Sequence, residues 1–277
     1  MFSILIPTWN NFSYLKNCIE SIRQHSTFDH EIIVHVNDGR DGSLDWVKQE
    51  GLLHTSSEHN IGICLAMNKM TQLASKDFIA YFNDDMYALP GWDKVLKSRM
   101  DQFGEESFMI SATMIEPTPH HNPCVIVADY GTTLTDFQEK KLLDTFDRFE
   151  KKDWNGSTWP PNVVRKSDWL KVGGYSIEFS PGMSSDDDFA MKMWQIGCRN
   201  FIGVAESRVY HFQTKSTGRI IKNNGRQQFL MKWGIAQSAF HRLFTKRGTE
   251  FSGPLTEPDA KALKFEQQKG WLKRKLW

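Results

Sequence analysis

The chain has 277 residues, enough for one large α/β domain or two small ones, and its 40% hydrophobic and 13% aromatic content excludes global disorder. Lys and Arg number 34 against 33 Asp and Glu, a net charge of +1, which excludes bulk electrostatic capture of nucleic acid. No nucleic-acid partner is expected.

Cys18, Cys64, Cys124 and Cys198 are scattered without a CxxC pair, a spacing that fits neither a zinc site nor a disulfide framework and suits a reducing compartment. The amino terminus lacks signal-peptide features, and no apolar run approaches the roughly 20 residues that span a bilayer. A cytoplasmic protein is expected.

Phe2–Ile6 is a short apolar strand that Pro7 is expected to stop. Asn11–Gln24 carries Leu15, Cys18, Ile19 and Ile22 at helical spacing, a core-facing stripe. Glu31–Val36 is a second strand, closed by the turn-forming Asn37-Asp38-Gly39. A short helix at Leu44–Gln49, a weak strand at Leu52–Thr55 and a helix at Gly62–Ala74 lead to a fourth strand at Phe78–Phe82. Strands alternating with helices imply a mainly parallel sheet. A helix near Asp93–Phe103 precedes apolar stretches at Phe108–Ile115 and Cys124–Ala128, expected as mixed or antiparallel strands. Residues 135–160 suit a mobile surface segment. Asp168–Val172 is a short helical piece, Asp186–Ile196 a buried helix, and Asn200–Val204 and Arg208–Phe212 two further strands. One helix is expected near Arg226–Phe244, then a polar tail. The division expected is a domain over 1–225, with a nucleotide-binding half at 1–103 and an acceptor and catalytic half at 104–225, followed by an extension over 226–277.

Three polar clusters follow predicted strands: Pro7-Thr8-Trp9-Asn10, Asn37-Asp38-Gly39 and Asn83-Asp84-Asp85. Open α/β sheets bind ligands at the carboxyl ends of their strands. Hard divalent ions such as Mg²⁺ or Mn²⁺ prefer oxygen ligands, often carboxylates shared with substrate phosphates. The acidic cluster therefore suggests a metal-bridged nucleotide diphosphate. Local turn chemistry is the alternative reading of the Asn-Asp-Asp cluster and, taken by itself, the simpler one for Asp38.

These stretches, with Gly42-Ser43, Asn60-Ile-Gly62, Ala66-Met-Asn68, Pro90-Gly-Trp92, Gly173-Gly-Tyr175, Ser185-Asp-Asp-Asp-Phe189 and Val209-Tyr-His-Phe212, follow an order that resembles family 2 glycosyltransferases, inverting enzymes of the GT-A fold. The resemblance covers about residues 1–215. It implies an α/β domain with a central, mainly parallel mixed sheet flanked by helices, plus a carboxyl-terminal helical extension. Pro7, Thr8 and Asn10 would line the nucleotide pocket and Asp38 would contact base or ribose. Asn60 and Asn68 would border the donor, with Asn83 and Asp84 beside it. Asp85 would be the principal metal ligand and His211 would help to hold the Mn²⁺ or Mg²⁺. Asp186 matches the acid where the catalytic base usually sits, with Asp187 as the alternative and Asp188 structural. Asn83, Met67 and Ser185 depart from the family's usual aspartate, arginine and glutamate.

The implied reaction moves a sugar from a nucleotide-diphosphate donor, UDP by analogy, to a hydroxyl of a glycan, glycolipid or protein. As Asp186 opens a helix, the macrodipole is expected to keep it ionised. The alternatives are a non-catalytic nucleotide-sugar or glycan binder of the same fold, or a sugar nucleotidyltransferase. The latter would need a Gly-rich amino-terminal phosphate loop, absent after Ile6. Three further stretches carry paired readings. Gln213–Arg226, with Lys215, Arg219, Lys222 and Arg226, is a lid over the diphosphate or a solvated loop. Trp154 and Trp159 stack on an acceptor sugar or pack internally. The basic, aromatic Trp271–Trp277 makes peripheral contact with the inner face of a membrane or is a plain surface tail.

Overall fold

The structure, a computed structural model, describes residues 1–214, 218 and 220–275. Pro7 does not stop the first strand: β1 runs Ser3–Trp9 and pairs along its whole length, in parallel, with β2 (Glu31–Asn37). On the other side β1 pairs with β4 (Phe78–Tyr81) only over Ser3–Leu5, and the Leu5 carbonyl accepts the Phe82 amide there. Pro7, two residues on, faces that same side, where the ladder has ended and no N–H is needed.

Between these strands lie α1 (Phe12–His25), α2 (Ser43–Gln49), β3 (Leu53–Ser57) and α3 (Gly62–Thr71). After β4 come β5 (Met86–Ala88), α4 (Trp92–Met100), β6 (Phe108–Glu116), β7 (Ile126–Val127), α5 (Glu139–Leu143), β8 (Trp154–Asn155), β9 (Asn162–Arg165) and α6 (Lys166–Val172). The chain then forms α7 (Ser185–Gln195), β10 (Asn200–His211), α8 (Gly225–Trp233), α9 (Gln237–Leu243) and α10 (Ala260–Lys275). Among the described residues ten strands make one sheet, whose main path is β3-β2-β1-β4-β9-β6-β10-β5. The β9 strand, antiparallel to both β4 and β6, joins the amino-terminal parallel half to the rest.

Alternation along β1 divides the core. Ile4 and Ile6 pack with Ile19, Trp92 and Phe108 on one face, while Leu5 packs with Met67, Tyr81 and Phe189 on the other. Both faces are therefore covered, as a mainly parallel sheet requires. Phe229, Ile235, Phe240 and Leu255, from the stretch after residue 225, belong to the second of these clusters.

Several local expectations are corrected. Residues 154–158 of the stretch expected to be mobile are buried, with β8 paired to β10. The two strands expected over 200–212 are one strand with an irregularity between Val204 and Arg208. The single helix expected near Arg226–Phe244 is two, broken at Gly234, whose φ of 77° suits glycine. The polar tail contains the 16-residue α10.

Candidate active site

The strands β1, β2 and β4 run parallel, and β6 and β10 run the same way because β9 reverses direction twice between β4 and β6. Their carboxyl ends gather at one edge, around a cleft of about 430 Å³ lined by Pro7, Thr8, Asn37, Asn60, Asn83, Asp84, Asp85 and His211. The sheet thus brings eight side chains to one place from five distant segments. Asn10, Asp38, Asn68, Asp186 and Asp187 are not among the residues lining it.

At the β1 and β2 ends, the Thr8 hydroxyl donates to Asp84 Oδ2 at 2.6 Å and Asn10 Nδ2 donates to Asp38 Oδ2 at 3.0 Å. Asn10 and Asp38 both have positive φ, 47° and 67°, a conformation that Asn and Asp tolerate better than other residues with a Cβ. Asp38 also takes a two-pronged contact from Arg40, at 2.6 Å on each oxygen. That guanidinium and Asn10 hold its carboxyl below the usual range. Asn37, which the strand reading treated as a turn residue, ties three segments together. Its amide donates to the Thr8 carbonyl at 3.2 Å and its Oδ1 accepts the Ile61 amide at 2.8 Å. The Asn60 side chain caps the following turn through the Gly62 amide at 2.9 Å.

At the β4 and β10 ends, Asp85 is buried and its Oδ2 accepts both the amide and the hydroxyl of Thr214 at 2.8 Å. Its Oδ1 lies 3.4 Å from His211 Nε2, while Nδ1 of the same ring lies 2.6 Å from Glu116 Oε1. Burial alone would depress the His211 imidazolium, but the flanking Asp85 and Glu116 outweigh it and lift its pKa to about 10. Burial likewise disfavours the Asp85 and Glu116 carboxylates, yet His211 and their hydrogen bonds bring both below their usual values. Glu116 was missed from sequence; it ends β6 within an apolar run and carries no motif.

Among the described residues no group of three or more His, Cys, Asp and Glu side chains forms a metal cage. The donor set nevertheless suits a divalent ion. Glu116 engages Nδ1, so that a deprotonated Nε2 would face Asp85 Oδ1, and a carboxylate-histidine-metal arrangement uses this same division of the ring. Two protein ligands are enough where substrate phosphates supply others.

The acidic run opens α7. Asp186 is half-buried, and its Oδ1 accepts the Tyr175 hydroxyl at 2.8 Å. The expectation that the helix terminus keeps it fully ionised is corrected: burial raises its pKa from 3.8 to about 7, despite the opposing Tyr175 bond. Asp187 is buried against α9, 2.9 Å from His241 Nε2 and bonded to Gln237. Burial works against its charge, but these partners hold its pKa below the usual value. Asp188 is fully buried and accepts from Ser176 at 2.5 Å and from Trp233 Nε1 at 2.8 Å, a bracing role. Asn68 holds Tyr175 from behind, bonding its amide and its carbonyl at 2.8 Å each.

Trp154 is buried, donates to Thr113 Oγ1 at 3.0 Å and stacks on Trp159 at 5.2 Å, so it packs internally and offers no face to a sugar. Of the expected lid, Gln213 donates to Glu116 at 3.0 Å and Ile220 lines the cleft, whereas Arg226 faces a different cavity. Lys215 and Arg219 lie outside the described residues, as do Leu276 and Trp277 of the tail. No described helix is long and apolar enough to cross a membrane.

A mixed α/β sheet with this polar carboxyl edge is a GT-A type domain. The chain belongs to glycosyl transferase family 2, whose sequence model matches residues 3–158. The putative glycosyltransferase EpsH of Bacillus subtilis (strain 168) is 29% identical over 106 residues, 36% of this chain and 30% of that protein. Among solved structures, S. aureus TarS 1-349 in complex with UDP-GlcNAc superposes with a TM-score of 0.56 at 14% identity, covering 83% of this chain and 63% of that one. GalNAc-T7 with UDP, GalNAc and Mn²⁺ gives a TM-score of 0.56 at 15% identity, covering 81% and 44%. The chain thus spans less than two thirds of the length of each of these relatives.

Proposed function

We propose that this chain is a metal-dependent, inverting glycosyltransferase that moves a sugar from a nucleotide-diphosphate donor to a hydroxyl of a glycan, glycolipid or protein. The observation that carries the reading is the Asp85–His211 pair, oriented by Glu116 and lining a cleft that Thr8, Asn60 and Asp84 also line. UDP is the favoured donor nucleotide, a choice supported by the UDP and UDP-GlcNAc named with the solved relatives.

In this account Pro7, Thr8, Asn10 and Asp38 receive the base and ribose, with Asn37 fixing the β1 and β2 ends in register. Asn60, Asn83 and Asp84 border the diphosphate and sugar. Asp85 and His211 hold Mn²⁺ or Mg²⁺, which when bound supplies Lewis-acid charge against the departing diphosphate. Asp186 accepts the proton of the incoming hydroxyl, so that the acceptor oxygen bonds to the anomeric carbon as the bond to the diphosphate breaks, with inversion. A pKa of about 7 leaves Asp186 ionised in much of the population at neutral pH and basic enough to take that proton. Asp187, committed to His241 and Gln237, braces the first turn of α7 against α9. Asn68 acts at one remove by fixing Tyr175. Exposed Phe265, Trp271 and Leu272, on a helix with Lys273, Arg274 and Lys275 in its last turn, support peripheral contact with an anionic membrane. Co-sedimentation with anionic vesicles that survives removal of α10 would end that part.

The test is release of nucleoside diphosphate from UDP-sugars with and without Mn²⁺. Release should require the ion and be lost in Asp85→Ala and in Asp186→Ala. Wild-type rates in both variants would overturn the assignment, whereas tight UDP binding with no turnover would favour the non-catalytic binder.

A further inference from the structure

Beyond α7, on the far side of Asp187, lies a second cavity of about 660 Å³, lined by Arg226, Leu230, Gln237, His241, Arg247 and Lys273 together with Ala236 and Ser238. No carboxylate lines it among the described residues. Neither Arg226 nor Lys273 has a carboxylate partner among them. Arg247 lies over the Trp159 ring at 4.1 Å, with its NH1 3.4 Å from His241 Nε2. Asp187, behind His241 and Gln237, offsets part of this charge, and three cations facing one cavity still leave an excess. An adjoining cavity of about 410 Å³ shares Ser238, His241 and Arg247 and adds Lys246, which extends the basic groove. Guanidinium, ammonium, amide and hydroxyl donors whose positive charge the neighbouring Asp186 and Asp187 only partly offset match the oxygens of a phosphate group.

This groove is coupled to the candidate base. Gln237 and His241 line the cavity and together hold Asp187, whose chain neighbour is Asp186. We infer that the cavity anchors the acceptor through a phosphate monoester or diester, so that the acceptor class is a phosphate-bearing one. The inference rests on the glycosyltransferase reading, since it makes the groove the acceptor side of that same site. The donor diphosphate belongs to the separate cleft at the sheet edge, which shares none of these lining residues.

The test follows the side-chain Nε–H resonances of Arg226 and Arg247 during titration with glycerol 3-phosphate at fixed ionic strength. It is run with and without saturating UDP. Saturable shifts that persist in UDP are expected. In Arg226→Ala/Lys273→Ala, read at Arg247, binding should weaken by roughly tenfold or more, as for loss of charge-assisted bonds. Arg226→Lys/Lys273→Arg, which keeps both charges, should retain most of it. A parallel arm with phosphatidylglycerol vesicles identifies the source: shifts with vesicles alone assign the phosphate to a lipid headgroup, and shifts with glycerol 3-phosphate assign it to a soluble acceptor. No saturable shift with either probe, or shifts abolished by UDP, would overturn the inference. UDP affinity on the same sample separates the two readings. If UDP binds and phosphate does not, only the groove assignment falls; if UDP fails to bind, the donor reading falls with it.

Discussion

Tyr175→Phe isolates one hydrogen bond at the candidate base. The Tyr175 ring is buried and stacks on Phe189 at 5.0 Å with planes 13° apart, so phenylalanine preserves the packing. What disappears is the 2.8 Å bond from the hydroxyl to Asp186 Oδ1. That bond favours the ionised carboxylate and opposes the burial that lifts the pKa to about 7. A hydrogen bond to a charged group contributes about 1.5–3 kcal/mol, and 1.36 kcal/mol corresponds to one pH unit. The ascending limb of kcat/KM should therefore move up by about 1–2 pH units, to roughly pH 8–9. At neutral pH the rate falls roughly five- to fiftyfold, and it recovers as the pH is raised. The assay is nucleoside diphosphate release across pH at saturating Mn²⁺. A limb that stays in place, or moves to lower pH, would refute the role given to Asp186.

Asp186→Asn should abolish transfer while stabilising the fold. The native carboxyl binds protons more tightly than the unfolded one between pH 3.8 and about 7, so wild-type stability falls as pH rises through that window. Asparagine lacks this penalty, and urea unfolding near pH 8 should show a gain of roughly 1–3 kcal/mol that vanishes near pH 4. Glu116→Ala leaves His211 Nδ1 without its 2.6 Å partner, and calorimetry with UDP present should show Mn²⁺ binding weakened roughly 10–100-fold. Unchanged affinity would remove Glu116 from the site. Asn68→Ala strips both backbone groups of Tyr175 of their partner and should cost roughly 2–4 kcal/mol in chemical denaturation. A loss below about 0.5 kcal/mol would contradict the bracing role.

The amino-terminal half was legible in the sequence because its signals are local. Leu15, Cys18, Ile19 and Ile22 at helical spacing are all buried on α1, and the apolar run ahead of Asn83 is β4. Pro7, Thr8, Asn83, Asp84 and Asp85, at expected strand ends, line one cleft, and Asn60 and His211, which only the family resemblance singled out, line it too. The remainder depends on long-range pairing. β9 follows Pro160 and Pro161 and exists because it fills the gap between β4 and β6. Glu116 is ordinary in sequence and gains its role only when β10 carries His211 beside it. The helix expected over Gly62–Ala74 is α3, ending at Thr71, and it turns Cys64, Met67 and Met70 inward while Leu65 stays more than a third exposed, a facing that only the tertiary packing decides. Asp186 illustrates the same limit: helix-terminus chemistry is visible locally, but the burial that outweighs it is not.

The most direct test of the central claim is a crystal structure with UDP and Mn²⁺ bound. The ion is expected at Asp85 and His211, the diphosphate in the cleft beside them and the uracil toward Asn10 and Asp38. Metal held by other side chains, or a diphosphate outside the cleft lined by Thr8 and Asp84, would contradict it.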